Sequence, residues 1–245
     1  MIQDMWTIIR KDIREIVFNR GTARSGLLSI LVVIGLIGVY LPLQTGPEWL
    51  TNPVSMVSWA WLPVFLVVSV VTDAIAGERE RHTLETLLAS RLSDRAILLG
   101  KIGAAVSYGW GMAMIGVLLG VVTVNIAHPE EGLLFYQLGL FLGMVVFSFL
   151  VALLMSTIGV FVSLHAPTAR VAYQRMSFVM LGLFLAPTIL VQVLPAENVA
   201  AVGAFLRNIN LPLAAGIGGA LLVIADIVLI ALALARFQRT RLILD

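Results

Sequence analysis

The chain alternates between long apolar runs and short polar segments. A helix needs about 20 apolar residues to cross the hydrocarbon core of a bilayer, and the chain has six runs of about that length or longer. The predicted spans are Ser25–Leu43, Val54–Ala76, Ile97–Ile126, Leu133–Leu164, Val171–Leu194 and Leu213–Ala235. We therefore expect an all-α membrane protein with six transmembrane helices, and we expect residues 1–245 to form a single transmembrane domain.

The composition supports a membrane protein and excludes several kinds of site. Only 12% of the residues are charged, against about 25% in soluble domains. The chain has no cysteine, which rules out disulfides and thiolate metal sites. Its three histidines lie far apart in the sequence without the spacing of metal ligands. We expect neither a metal site nor a nucleic-acid partner.

The basic residues are distributed unevenly among the polar segments. Of the 16 Lys and Arg residues, all but Arg207 lie before the first predicted span or near the segments after the second, fourth and sixth spans. Because cytoplasmic segments of membrane proteins are enriched in Lys and Arg, both termini are expected in the cytoplasm. The outer segment 195–211 is apolar enough for a re-entrant helix, although a simple loop also fits.

Residues 1–24 have the pattern of an amphipathic helix lying in the membrane interface. Trp6, Ile9 and Ile13 recur at helical spacing on one face, and Arg10 and Lys11 lie on the other. Such a helix places its apolar face among membrane lipids and its basic face against anionic headgroups. A second role, contact with a cytoplasmic partner, is left open by the sequence.

The most polar internal segment is "GERERHTLETLLASRLSDRAILLGK", which has nine charged side chains in 25 positions. We call residues 77–96 the charged loop. Leu84, Leu87 and Leu88 recur at helical spacing there and predict a short helix over about Thr83–Ser90. Ser93 is expected to cap the following helix. A helix this short needs a surface to lie on, and that surface is this chain's own helix ends, the lipid interface or another protein.

Two segments, "WTIIRKDIREIVFNR" and "DAIAGERERHTLETLLASRLSDRAILLGK", resemble the permease subunits of type-2 ABC exporters. In that family the first cytoplasmic loop carries acid and Arg residues, Thr-Leu-Glu and Leu-Leu, and is closed by Leu-Gly-Lys. The matching positions are Trp6, Arg10, Lys11, Asp12, Glu78, Arg79, Glu80, Arg81, Thr83, Leu84, Glu85, Leu87, Leu88, Leu99, Gly100 and Lys101. The chain departs from the pattern at Arg91, where many relatives have proline.

The resemblance implies a permease domain whose loop helix is a coupling helix that docks on a separate ATP-binding subunit, with the interfacial helix beside it. The docking residues it implies are Glu78, Glu80, Arg81, Thr83, Leu84, Glu85, Leu87 and Leu88. It further implies two ATP-binding subunits, which hold ATP and Mg, and a second permease subunit that makes a homodimer. The implied location is the plasma or inner membrane of a prokaryotic cell.

The chain lacks the phosphate-binding motif of an ATPase. No G-x-x-x-x-G-K-[ST] occurs, and its one Gly-Lys pair, Gly100–Lys101, is followed by Ile102. We therefore expect that the chain is not an enzyme by itself and binds no cofactor of its own. The implied function is ATP-driven export of a lipophilic or amphiphilic substrate, such as a drug or a lipid, with ion or metal-related cargo as an alternative.

Two acidic residues lie within or beside predicted spans. Asp226 is near the middle of the sixth span, where an ionised acid is costly and is often functional. Two roles are open for Asp226: it handles substrate or protons, or it makes an interhelical hydrogen bond. Asp73, at the inner end of the second span, is expected to pair with Arg79 or Arg81. Two other hypotheses remain: an ATP-independent secondary transporter or channel that uses Asp226, and a membrane scaffold that only recruits a partner.

Overall fold

The computed structural model describes residues 1–18, 31–195, 197–198 and 210–237, which form helices joined by turns. The helices are α1 (Ile2–Phe18), α2 (Leu31–Thr45), α3 (Glu48–Thr51), α4 (Pro53–Val71), α5 (Ala76–Glu80), α6 (Leu84–Leu88), α7 (Asp94–Ala127), α8 (Leu138–Leu164), α9 (Ala169–Val193) and α10 (Leu211–Arg236). Stretches of α7, α8, α9 and α10 are long and apolar enough to cross a membrane.

The predicted spans match these helices with differences at the ends. The third, fifth and sixth spans agree with α7, α9 and α10 to within three residues at each end. The start of the first span lies outside the described residues, and α2 includes a π-helical stretch over Leu36–Tyr40. Most of the proposed re-entrant segment 195–211 also lies outside them. Helix α4 continues through Pro63.

The fourth predicted span differs at its start, because α8 begins at Leu138 rather than Leu133. The side-chain amide of Asn125 donates to the carbonyl of Leu134 at 2.8 Å, and its oxygen accepts from the Leu134 N–H at 2.8 Å. These two bonds fix the backbone of Leu134 in a non-helical conformation. Apolar residues at 133–137 therefore belong to a connection and not to the span.

The helix at the second predicted span, α4, ends at Val71, five residues before the predicted Ala76. Ser163 of α8 explains the early end. Its hydroxyl accepts hydrogen bonds from Ile75 N–H at 3.2 Å and Ala76 N–H at 2.9 Å, and donates to the Thr72 carbonyl at 3.0 Å. One buried hydroxyl thereby satisfies the backbone polar groups of the turn between α4 and α5, which would otherwise be costly to bury.

The larger buried cluster joins one end of the helix bundle to the charged loop. It includes Ile75, Leu84, Leu164 and Phe237, so the loop and the C-terminal ends of α8 and α10 lie together. We call this the charged end. Close helix contacts here depend on glycine: a Cβ at Gly100 would lie 2.8 Å from the Ile8 Cβ, closer than such atoms pack.

Helix α1 is amphipathic, but its apolar side chains point in two directions. Ile8 is buried in the larger cluster, and Ile9 and Ile13 are partly buried. Trp6 is 64% exposed. The predicted apolar face omitted Ile8, which contacts the protein because Gly100 of α7 leaves room for it. Trp6 remains available for lipid, as an interfacial helix requires.

Candidate functional site at the charged end

The short helix in the charged loop is present as α6, and it ends at Leu88, before Arg91. Leu84 and Leu88 are buried in the chain's own core, and Leu87 packs against that core. Of the three surfaces left open by the sequence, the helix lies on this chain's own helix ends. Glu85 and Thr86 are exposed on its opposite side.

The start of the next helix agrees with the prediction. The Ser93 hydroxyl accepts a hydrogen bond from the Ala96 N–H at 3.2 Å and so caps α7. Asp94 lies in the first turn, where the positive end of the helix dipole favours an acid. The charged loop is therefore fixed at both of its ends, by Ser163 at the first and by Ser93 at the second.

Glu78 lies at the centre of the charged end and joins three elements. It is 3% exposed, and its Oε1 atom is 3.1 Å from the ammonium of Lys11 on α1 and 3.1 Å from that of Lys101 on α7. Lys101 is also buried and lies 3.5 Å from Asp12 of α1. The four side chains form what we call the Glu78 cluster, which ties the charged loop to α1 and α7.

A second group of ion pairs lies beside the Glu78 cluster. The Arg81 guanidinium is 3.1 Å from the Asp73 carboxylate and 3.5 Å from Glu15 of α1. This confirms the expected pairing of Asp73 with a loop arginine. Gly77 lies next to this pair, and a Cβ at that position would displace the Asp73 carboxylate.

The charged loop is also bound to the connection between α8 and α9. Arg79 donates to the carbonyls of Ala166 at 2.6 Å and Leu164 at 3.2 Å. The Glu80 carboxylate accepts from the Ala169 N–H at 3.2 Å, at the start of α9. Thr83 donates within the loop to the Glu78 carbonyl at 3.3 Å. The loop is therefore bonded to α1, α7, α8 and α9.

The environment of the Glu78 cluster shifts its acid–base equilibria in different directions. Burial acts to raise the pKa of Glu78, but the ammonium groups of Lys101 and Lys11 outweigh it, and the pKa lies below its ordinary value. Burial raises the pKa of Asp12, and Lys101 offsets only part of that. Burial opposes the charge on Lys11, yet attraction to Glu78 raises its pKa overall. Glu78 is thus held as the anion.

A cavity of about 600 Å³ opens between α1, α4, α7 and α9 at the charged end. Its charged lining residues are Asp12, Glu15, Asp73, Glu78, Arg81, Lys101 and Arg170. Tyr173, Ser69 and Thr72 supply further polar groups. Both signs of charge therefore face one space, which suits a polar or zwitterionic group better than a hydrocarbon chain.

The second intramembrane candidate, Asp226, lies away from this cavity on α10. It is 2% exposed, and neither carboxylate oxygen has a hydrogen-bond partner among the described residues. The structure does not bring Asp226 and Asp73 together: Asp73 lies in the turn after α4 and is only partly buried.

Sequence reasoning found the loop helix and its acids but missed the residues that fix it. Ser163 reads as an ordinary serine in an apolar span, and Ile8 falls outside the main apolar stripe of α1. Arg79 was one of two expected partners of Asp73, and its bonds to the carbonyls of Ala166 and Leu164 were not predicted. Only contacts between distant parts of the chain identify these three.

Comparison with known proteins places the chain in a family. The profile of the ABC-2 family transporter proteins matches residues 51–215, about two thirds of the chain. The chain is 31% identical over 154 residues to "Probable ABC transporter permease protein NosY" of Stutzerimonas stutzeri, a match covering 58% of this chain and 53% of that protein. It is 30% identical over 152 residues to the protein of the same name from Pseudomonas aeruginosa, covering 57% and 53%. The match thus spans about half the length of these curated relatives. The chain belongs to the ABC-2 transporter family, as an ABC transporter permease subunit.

Proposed function

We propose that this chain is the membrane subunit of an ATP-driven exporter and that the charged loop receives the motion of a separate ATP-binding subunit. The observation that carries the proposal is the bonding of the loop. Glu78, Arg79 and Arg81 connect it to α1, the turn after α4, α7 and the α8–α9 connection. A push on the loop therefore reaches several helices at once, which is what coupling to transport requires.

The surface available for such a partner is the outer side of α6 and the residues after it. Leu84 and Leu88 are occupied by this chain's own core, so they hold the helix in position. Glu85, Thr86, Ala89 and Arg91 are exposed. We assign docking to this exposed set, with the buried leucines as its support. The two charged residues of this set, Glu85 and Arg91, would make the contact with the partner specific through charge complementarity.

We propose that the assembly contains two copies of this chain and two ATP-binding subunits, with six spans in each copy and both termini in the cytoplasm. Support comes from the distribution of Lys and Arg along the chain. The exposed faces of α9 and α10 are apolar, with Phe178, Leu181, Ile224 and Ile227 exposed. Such faces require lipid or another membrane subunit as neighbours.

The cargo we propose is an amphiphile with a polar or zwitterionic group. The long helices of the bundle are apolar, and the cavity at the charged end presents both Asp73 and Arg170. An amphiphile satisfies both environments, since its chain partitions into apolar surroundings and its head group meets fixed charges. A small inorganic ion would gain nothing from the apolar surroundings.

The test is purification from native membranes in mild detergent, followed by measurement of ATP hydrolysis and peptide sequencing of any co-eluting ATP-binding protein. Glu85→Lys reverses a charge on the docking surface without touching the core. Glu130→Lys makes the same change in the Pro129–Glu131 turn, at the other end of α7 from the charged loop. We expect the unchanged chain and Glu130→Lys to co-purify with the ATPase. Glu85→Lys should co-purify with at most about a tenth as much, and a tenfold loss of affinity is about 1.4 kcal/mol of binding. Absence of any ATPase from the unchanged chain refutes the proposal.

A further inference from the structure

The charges that line the cavity at the charged end are divided unequally among its walls. Asp12 and Glu15, three residues apart on one face of α1, line it together with Glu78. Arg170 and Tyr173, three residues apart at the start of α9, also line it. A ligand in the cavity therefore meets acids from α1 and the charged loop, and hydrogen-bond donors from α9.

Two of the lining residues have hydrogen-bonding capacity that the chain does not use. Oε1 of Glu78 is bonded to Lys11 and Lys101, but Oε2 is buried and has no donor among the described residues. The side chain of Arg170 is exposed, and within the described part of the chain it makes no hydrogen bond or ion pair. Buried polar atoms nearly always have partners. A ligand that donates to Oε2 and accepts from Arg170 would complete the site.

The other charged residues of the lining are paired with one another, in the contacts Asp73–Arg81, Glu15–Arg81 and Asp12–Lys101. A simple anion would gain the guanidinium of Arg170 but would leave Glu78 Oε2 without a donor. A simple cation would satisfy Oε2 and leave Arg170 unpaired. A group with a positive and a negative charge at separate positions satisfies both residues, and its positive end must carry an N–H to donate.

An exposed apolar surface continues from the cavity along α4 and α9. Ser69 of α4 lines the cavity, and Phe65, four residues earlier, lies on the same helix face. The Phe65 ring stacks on the ring of Phe184 of α9 with the centroids 5.9 Å apart, and the two side chains are 48% and 37% exposed. Four residues are about 6 Å along a helix. An acyl chain on this aromatic surface is therefore within reach of a head group in the cavity.

We propose that the cavity binds the head group of a phospholipid with a primary amine, such as phosphatidylethanolamine. The ammonium donates a hydrogen bond to Glu78 Oε2. The phosphate accepts from the Arg170 guanidinium and the Tyr173 hydroxyl, and an acyl chain lies along Phe65 and Phe184. The N–H donors decide the selectivity, because choline has the same charge and no N–H. The inference rests on the proposed function, since it takes this lipid as the cargo and names its head group.

Binding itself needs no ATP-binding subunit, so the test uses the full chain alone, purified in mild detergent. Native mass spectrometry measures its affinity for lipids with identical acyl chains. Phosphatidylethanolamine, its N,N-dimethyl derivative and phosphatidylcholine share the phosphate and the positive charge, and carry progressively fewer N–H donors. We expect the affinity to fall in that order, by about tenfold or more from the first to the last, as for loss of a hydrogen bond to a charged group.

Arg170→Gln tests the phosphate contact on an exposed side chain and should fold normally. It should weaken the binding of all three lipids by about tenfold and leave the preference for phosphatidylethanolamine unchanged. Arg91→Gln is the matched control, because Arg91 is also exposed and does not line the cavity; it should bind like the unchanged chain. Free phosphoethanolamine, added as a competitor, should bind about a hundredfold more weakly than the lipid, since it has no acyl chain to bury.

Three results overturn the proposal. Equal affinity for phosphatidylethanolamine and phosphatidylcholine would show that Glu78 Oε2 takes no donor from a head group. Unchanged affinity in Arg170→Gln would remove the phosphate contact. Free phosphoethanolamine that binds as tightly as the lipid would make the ligand a soluble amine. The lipid series requires no change at Glu78, so it does not depend on a variant that folds poorly. Absence of the ATPase in the purification experiment would refute the proposed function and leave the measured lipid preference unaffected.

Discussion

Replacing Glu78 by glutamine keeps the shape of the side chain and removes the charge that two lysines share. Glu78 and Lys101 are both almost completely buried, and Lys101 would keep only Asp12, at 3.5 Å. Removing one partner of a buried pair typically costs about 3–5 kcal/mol, because the other charge stays buried. Lys11 is 51% exposed, and exposed pairs contribute about 1 kcal/mol or less. We therefore expect Glu78→Gln to lower the free energy of unfolding by about 3 kcal/mol and Lys11→Met by less than about 1.

The assay is reversible unfolding in mixed micelles, followed by the loss of helical circular dichroism as denaturing detergent increases. A double-mutant cycle separates the two lysines. Glu78→Gln with Lys101→Met should cost at least about 2 kcal/mol less than the sum of the single changes, since neither charge is then left alone. Strict additivity for that pair, or a cost below about 1 kcal/mol for Glu78→Gln, would refute the assignment of Glu78 as the centre of the cluster.

Three further predictions concern the parts that hold the charged end together. Gly100→Ala should cost about 1–3 kcal/mol by pushing Ile8 and α1 away from α7, whereas Gly111→Ala, with nothing within 4 Å, should be neutral or stabilising in the same unfolding assay. Ser163→Ala leaves two buried N–H groups without an acceptor and should cost about 2 kcal/mol or more; Ser177→Ala, where the hydroxyl is exposed, should change stability by less than about 0.5. The pKa of Glu78 is lowered on folding, so its ionised side chain stabilises the fold above its unfolded pKa of 4.5, and this stabilisation is lost as pH falls toward the lower folded pKa. Over that pH range the free energy of unfolding should fall less for Glu78→Gln than for the unchanged chain. Equal pH dependence of the two would contradict the assignment.

The sequence predicted the elements of this fold better than their ends. Apolar length locates α7, α9 and α10 because a long uninterrupted apolar run has few alternatives to a span. It misplaced the ends of the second and fourth spans, where a distant side chain decides the outcome. Asn125 and Ser163 each replace helical hydrogen bonds by their own, and no local pattern carries that information.

The candidate site was predicted in its composition and not in its geometry. The acids and leucines of the charged loop were identified from spacing and resemblance, and the Asp73–Arg81 pair was expected. Spacing could not show that Leu84 and Leu88 face inward, since a leucine-faced helix suits a partner and its own core equally. Glu78 joins α1 and α7, and its partner on α1, Lys11, lies 67 residues earlier in the sequence. Only the folded structure reveals this contact.

The lack of cysteine in the chain makes one measurement especially direct. Thr86→Cys places a single thiol on the exposed side of α6, and Glu130→Cys places one in the Pro129–Glu131 turn, at the other end of α7 from the charged loop. With a short bifunctional reagent in native membranes, the account predicts that Thr86→Cys cross-links to a protein with an ATP-binding motif, that the yield changes when ATP is added, and that Glu130→Cys gives no such product. Failure of Thr86→Cys to capture an ATP-binding protein, with the thiol shown to be reactive, would contradict the claim that the charged loop receives ATP-driven motion.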